Sequence, residues 1–135
     1  MFYDFAITVP ANTAERSPVK QALKLTHGVI HGVEVQFPIG TRCRVHCKLL
    51  ANGHQVWPTN PEGNLASDGF VVAWDDFYEL KRAPYQLRAV CWSTADTYAY
   101  DIAFRFAILP KETISPLAGV VGALKKFLKL VGVGE

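Results

Sequence analysis

Three cysteines, four histidines and a group of carboxylates are the side chains of this sequence with chemistry to offer. Cys43 and Cys47 make a C-x-x-x-C spacing inside RCRVHCKLL, with Cys91 well downstream. That segment reads as a strand, in which residues four apart share one face and lie about 13 Å apart. A disulfide needs Cα atoms within roughly 7 Å, so these two cannot bridge each other. The same separation keeps them from sharing one zinc ion. An odd number of thiols leaves at least one free in any single-chain pairing. Ordinary buried thiols are the expectation, and they fit a protein that is cytoplasmic or assembled in a cytoplasm.

His27, His31, His46 and His54 show no H-x-H or H-E-x-x-H spacing. His31 and His46 fall on different predicted strands and could be cross-strand neighbours, but zinc needs three or four convergent ligands. Glu62, Asp68, Asp75 and Asp76 border a long loop, and oxygen-rich loops can hold calcium. The run lacks the D-x-D-x-D-G pattern, and a solvated loop with turn-forming Asn60, Pro61, Gly63 and Gly69 explains the same residues. For nucleophilic catalysis there is no G-x-S-x-G, and Ser67 and Ser93 sit in turn-like surroundings. No P-loop or G-x-G-x-x-G precedes a helix. The expectation is a protein that is not an enzyme, with no catalytic residue, no cofactor and no metal.

The elements that position these side chains are strands. Tyr3, Phe5, Ile7 and Val9 alternate with Asp4, Ala6 and Thr8, which predicts a half-buried strand ending at Pro10. Val19, Leu23 and Leu25 suggest a second strand. Val29, His31, Val33, Val35 and Phe37 suggest a third, alternating with Ile30, Gly32, Glu34 and Gln36. In the fourth, Cys43, Val45, Cys47 and Leu49 face inward, while Arg42, Arg44, His46 and Lys48 face out. Asn52-Gly53 then signals a tight hairpin into a return strand from His54 to Trp57. After the polar loop 58–69, short strands are expected at 70–74, 77–80 and 85–92. A long last strand puts Tyr98, Tyr100, Ile102, Phe104, Phe106 and Ile108 on one face. Trp57, Trp74 and Trp92 all fall within strands, so packing explains them better than exposed ligand platforms. About eight short strands divided by Pro, Gly and Asn turns predict an all-β chain, an antiparallel β-sandwich over residues 1–110.

After Pro110 the period changes from two to 3.6. Residues 111–135 read as a short tether followed by a C-terminal amphipathic α-helix. Leu117, Val120, Val121, Leu124, Phe127, Leu128 and Val131 fall in one stripe about 120° wide. Lys125, Lys126 and Lys129 fall on the other side. Ser115 and Pro116 stand at the cap and first-turn positions. Seven large apolar residues in one stripe require burial. Docking on a neighbouring subunit is the first expectation, docking on the chain's own sandwich the second, and a membrane surface the third. The stripe is therefore the expected subunit interface.

Half of the 135 residues are apolar and 19% are charged, which suits one folded domain and excludes a disordered or collagen-like chain. A net charge of +2 is too even for a dedicated nucleic-acid binder, so no nucleic acid is expected as a partner. No apolar run reaches the ~18 residues that cross a bilayer. MFYDFAITV has no basic leader and carries Asp4, so it does not read as a signal peptide.

The blocks SPVKQALKLTHGVIHGVEVQFPIG, HQVWPTNPEGNLASDGF and APYQLRAVCWSTADTYAYDIAFRFAILP resemble a group of small proteins encoded beside capsid and tail genes in tailed bacteriophages and prophage-like elements. The resemblance spans roughly residues 17–110 and carries no catalytic motif. It implies a virion structural protein of the decoration, cement or accessory head or tail type. Such a protein would assemble in the host cytoplasm with copies of itself and with a major capsid or tail protein. The alternative is a lectin-like or adhesion module of a host-recognition structure, with Trp57 and the loop from Pro58 to Gly69 as its ligand edge.

Overall fold

Alternation of apolar and polar residues turns into eight strands in the structure, a computed structural model that describes residues 1–110. They are β1 (Phe2–Val9), β2 (Val19–Lys24), β3 (Gly28–Gln36), β4 (Val45–Ala51), β5 (His54–Trp57), β6 (Val71–Leu80), β7 (Gln86–Ser93) and β8 (Tyr100–Pro110). The tether and helix expected at 111–135 lie outside the described residues, and so do Leu117, Val120, Val121, Leu124, Phe127, Leu128 and Val131.

The pairing is nested. β4 pairs with β5, β3 with β6, β2 with β7 and β1 with β8, all antiparallel. The chain thus doubles back once, at Asn52-Gly53, where φ values of 51° and 80° fit the tight turn that the dipeptide favours. This long hairpin is rolled so that β8 also pairs with β3, and β7 with β4. The result is two four-stranded sheets, β1-β8-β3-β6 and β2-β7-β4-β5. That order is a jelly roll, an eight-stranded form of the β-sandwich.

The core lies between the sheets. Ile102, Phe104, Phe106 and Ile108 of β8 have no solvent exposure and pack with Ile7, Val9, Val33 and Val35 from their own sheet. Leu23, Val45, Leu49 and Leu87 come from the opposite sheet. The open side between the edge strands β5 and β6 is closed by aromatic rings. Trp57 meets Trp74 and Tyr78 edge-on at 5.8 and 5.5 Å, and its indole N–H donates to Asp76 Oδ2 at 2.7 Å.

Several expectations need correction. A register shift between Ile30 and Gly32 interrupts the alternation of β3. An extra residue there reverses the faces, so Ile30 joins Val33 and Val35 in the core and His31 is left half-buried. β6 is one ten-residue strand rather than two short ones. Its Asp75, Asp76 and Phe77 fit opposite the shift in β3, where Gly32 pairs with Asp75 and Ile30 with Tyr78. Tyr98 is not on β8 but in the loop before it. Cys43 does not face inward on β4. It is exposed in a turn, with φ of 57° after Arg42 at 51°, and the strand starts at Val45.

Phe106 pairs with Tyr3 and Val33 at the centre of its sheet. Removing its ring leaves a cavity in the fully buried core between strands hydrogen-bonded on both sides, which collapses poorly. Phe106→Ala is expected to cost about 3–5 kcal/mol of unfolding free energy, read from the denaturant midpoint at unchanged slope.

Candidate interaction surfaces

Four loops meet at one end of the sandwich: β1–β2, β3–β4, β5–β6 and β7–β8. Backbone and side-chain bonds tie them together. Asn12 N–H donates to Ala95 O at 2.7 Å, and Thr94 N–H to Arg44 O at 3.0 Å. The buried Thr41 hydroxyl donates to Ser67 O at 2.6 Å. Gly40 N–H donates to Asp68 at 2.8 Å, and Tyr100 donates its hydroxyl proton to Gly40 O at 3.0 Å. This firm base holds Ile39, 84% exposed, and Phe70, 74% exposed, out in water, with Tyr98 exposed on the β7–β8 loop. Gly69, at φ +74°, makes this possible, since a Cβ there would stand 2.7 Å from the Ile39 side chain.

The two broad outer faces differ in charge. The strands of the sheet β2-β7-β4-β5 carry Lys20, Lys24, Lys48 and Arg88, with His46 and His54, and no carboxylate side chain. Lys20 and Lys48 flank Val90 from either side, and Arg88 lies between Ala22 and Leu50. The Lys48 ammonium stands 5.6 Å over the Trp92 ring, on which His46 also stacks. The other sheet carries Asp4, Glu34, Asp75, Glu79 and Asp101 against Arg105 alone, with Asp76 turned to Trp57 at the β5–β6 side. Arg105 donates to Gln36 at 2.6 Å and stands 3.7 Å from both Asp4 and Glu34. Beside it is a depression of about 360 Å³ floored by Gly32, Ala73 and Ala107 and rimmed by Phe2, His31 and Asp75.

No protein-family model matches the chain, and no curated protein matches it.

The residues singled out from sequence fall in different places. His31 and His46 are not neighbours, because β3 and β4 belong to opposite sheets. His46 Nδ1 lies 2.8 Å from Asn64 Oδ1, and His27 stacks on Tyr85. Among the described residues no three His, Cys, Asp or Glu side chains gather as a metal site would require. Asp68 and Asp76 act within the fold, on Gly40 and Trp57. Trp57 is 4% exposed and hydrogen-bonded, so it offers no stacking platform to a ligand. Sequence reasoning missed the contact between Cys47 and Cys91, whose sulfurs are 3.2 Å apart. Alternation places both on strands, but it gives a face and not a partner.

All three thiols are unpaired, with Cys43 exposed and the other two buried. Burial, then the hydrogen bond and charge of Cys91, push the Cys47 thiol well above the usual thiol range, and only the thiolate is reactive. In reduced, native protein a disulfide dye is expected to titrate Cys43 alone, with Cys47 and Cys91 appearing on addition of denaturant. Fast reaction of a second native thiol would contradict this packing.

Proposed function

We propose that this chain is a virion structural protein without enzymatic activity. It serves as a capsid decoration or cement protein, or as an accessory head or tail subunit, and assembles with copies of itself and with other virion proteins. The observation that carries this reading is the opposite charge of two broad faces on a body whose interior is filled by Phe37, Phe104, Phe106 and their neighbours. Faces of opposite sign steer and register subunits against each other. A filled sandwich leaves its surface, rather than an internal cavity, to meet a partner.

Four further points support it. Jelly rolls serve as viral capsid domains, among other roles. Residues 17–110 resemble the phage proteins named above. The N-terminal strand and the exit of β8 also lie together: Phe2, 63% exposed, pairs with Ala107, and the Met1 amino group donates to Ile108 O at 2.7 Å. Residues 111–135 follow from that place, and on this reading Leu117, Val120, Val121, Leu124, Phe127, Leu128 and Val131 are the contact stripe for a neighbouring subunit. Free thiols suit assembly in a reducing host cytoplasm.

A second reading, a lectin-like or adhesion module, draws on the exposed Ile39, Phe70 and Tyr98 at the loop end. It expects a glycan-array signal that Tyr98→Ala abolishes.

The assembly reading is tested by light scattering on the full-length protein and on Leu124→Asp. A discrete oligomer that weakens with salt and falls to monomer in Leu124→Asp is the expected result, because a charge in an apolar interface is strongly unfavourable. A wild-type monomer at all concentrations, or an unchanged mass in Leu124→Asp, overturns assembly through this terminus.

A further inference from the structure

We propose that Cys47 and Cys91 are a latent disulfide, which closes when the protein equilibrates with a low-molecular-weight disulfide and leaves Cys43 free. The two residues stand opposite each other in the β4–β7 ladder, with sulfurs 3.2 Å apart. Cys47 N–H donates to Leu65 O at 2.9 Å, and Cys47 O accepts from Leu65 N–H at 2.8 Å, both on the side away from β7. In an antiparallel ladder the N–H and C=O of one residue point the same way. Cys47 and Cys91 therefore form a non-hydrogen-bonded pair, the kind with Cα atoms about 4.5 Å apart and side chains in closest approach. That separation lies within the roughly 4.4–6.8 Å span of natural disulfides. Cys43, in the turn before β4, has no such partner across a ladder.

The exchange balances with a glutathione-type oxidant. One cysteine thiolate attacks the oxidant's S–S bond, giving a mixed disulfide and releasing one glutathione thiolate. The second cysteine thiolate then displaces the other glutathione. The protein gives up two protons and two electrons, and one glutathione disulfide becomes two thiols. Both cysteines have no solvent exposure, so the bond forms as the sheet closes during folding or through transient opening. Once formed it ties β4 to β7, the two central strands of their sheet. The cross-link restricts the unfolded chain more than the native one, where the pair is already adjacent.

Refolding the full chain in a mixture of reduced and oxidised glutathione, then trapping and mapping thiols by mass spectrometry, tests the proposal. The expected product is lighter by two hydrogens, carries one 47–91 linkage and an alkylated Cys43, and melts several degrees above the reduced protein. Cys43→Ser is expected to form the same bond. At the same glutathione ratio in guanidinium chloride the 47–91 linkage should fall by about tenfold, because the register that holds the pair at disulfide distance is lost. Three alkylated thiols after refolding, a linkage through Cys43 instead, or an equal yield in native and denaturing buffer would each overturn it.

Discussion

The inner face of β8 imposes the terms that the rest of the molecule meets. Ile102, Phe104, Phe106 and Ile108 have no exposure, yet their strand lies inside a single-layer sheet between β1 and β3. One side of that sheet must be covered, and a second sheet at the ~10 Å spacing of packed sheets does so along the whole strand. The nested pairing supplies it, with Leu23, Leu49 and Leu87 facing down from β2, β4 and β7. Two long sides of the sandwich then remain open. Trp57, Trp74 and Tyr78 close the one between β5 and β6, and Tyr3 and Phe5 of β1 pack towards the other. Covering β8 also demands pairs distant in sequence, such as Phe2 with Ala107. Loop closure comes before the contacts that reward it, so such a fold forms slowly compared with a helical bundle of equal length.

The fold asks for polar residues on its outer faces but is indifferent to their sign. A mixture of lysines and carboxylates on each sheet would satisfy the alternation equally well and would avoid like-charge neighbours. The sequence instead gathers Lys20, Lys24, Lys48 and Arg88 on one sheet and Asp4, Glu34, Asp75, Glu79 and Asp101 on the other, apart from Asp76, which is held by Trp57. Exposed like charges repel only weakly across a Debye length of about 8 Å, so folding tolerates the segregation without requiring it. A feature that folding does not require points to what meets the surface. Arg105 is consistent with this: set among acids, it is held by Asp4, Glu34 and Gln36, leaving the face around it negative.

Much of the fold could be read from residue order alone, because period-two alternation and turn chemistry are local. β1, β4 beyond Val45, the Asn52-Gly53 turn and the buried face of β8 all follow from neighbours within a few positions. What could not be read was set by pairing partners. The shift at Ile30–Gly32 exists because β3 lies between β6 and β8 and must match both. The two positive-φ residues before Val45 reflect a loop bonded to Asp96 and Ser67, distant in sequence. Cys47 and Cys91 meet for the same reason: alternation shows that each points inward, and only the ladder shows that they oppose each other. The tail residues from Leu117 to Val131 rest on their helical spacing in the sequence, outside the described residues.

Jelly-roll order does not choose between a capsid subunit and a ligand-binding module, since the same fold serves both. Position within the fold is more informative. Positive-φ residues Asn12, Gly40, Arg42, Cys43 and Gly69 lie at one end together with the exposed Ile39 and Phe70, while Asn52 and Gly53 make the tight turn at the other. Met1, Phe2 and the exit of β8 at Pro110 gather at the other, next to Gly28 and Leu80. A subunit anchored through its termini would be gripped at the second end and along its charged faces, and would turn the first end outward. The two proposed roles would therefore draw on separate surfaces and would not compete for residues. On this geometry, attachment through the terminal end and recognition by the loop end are compatible properties of one molecule.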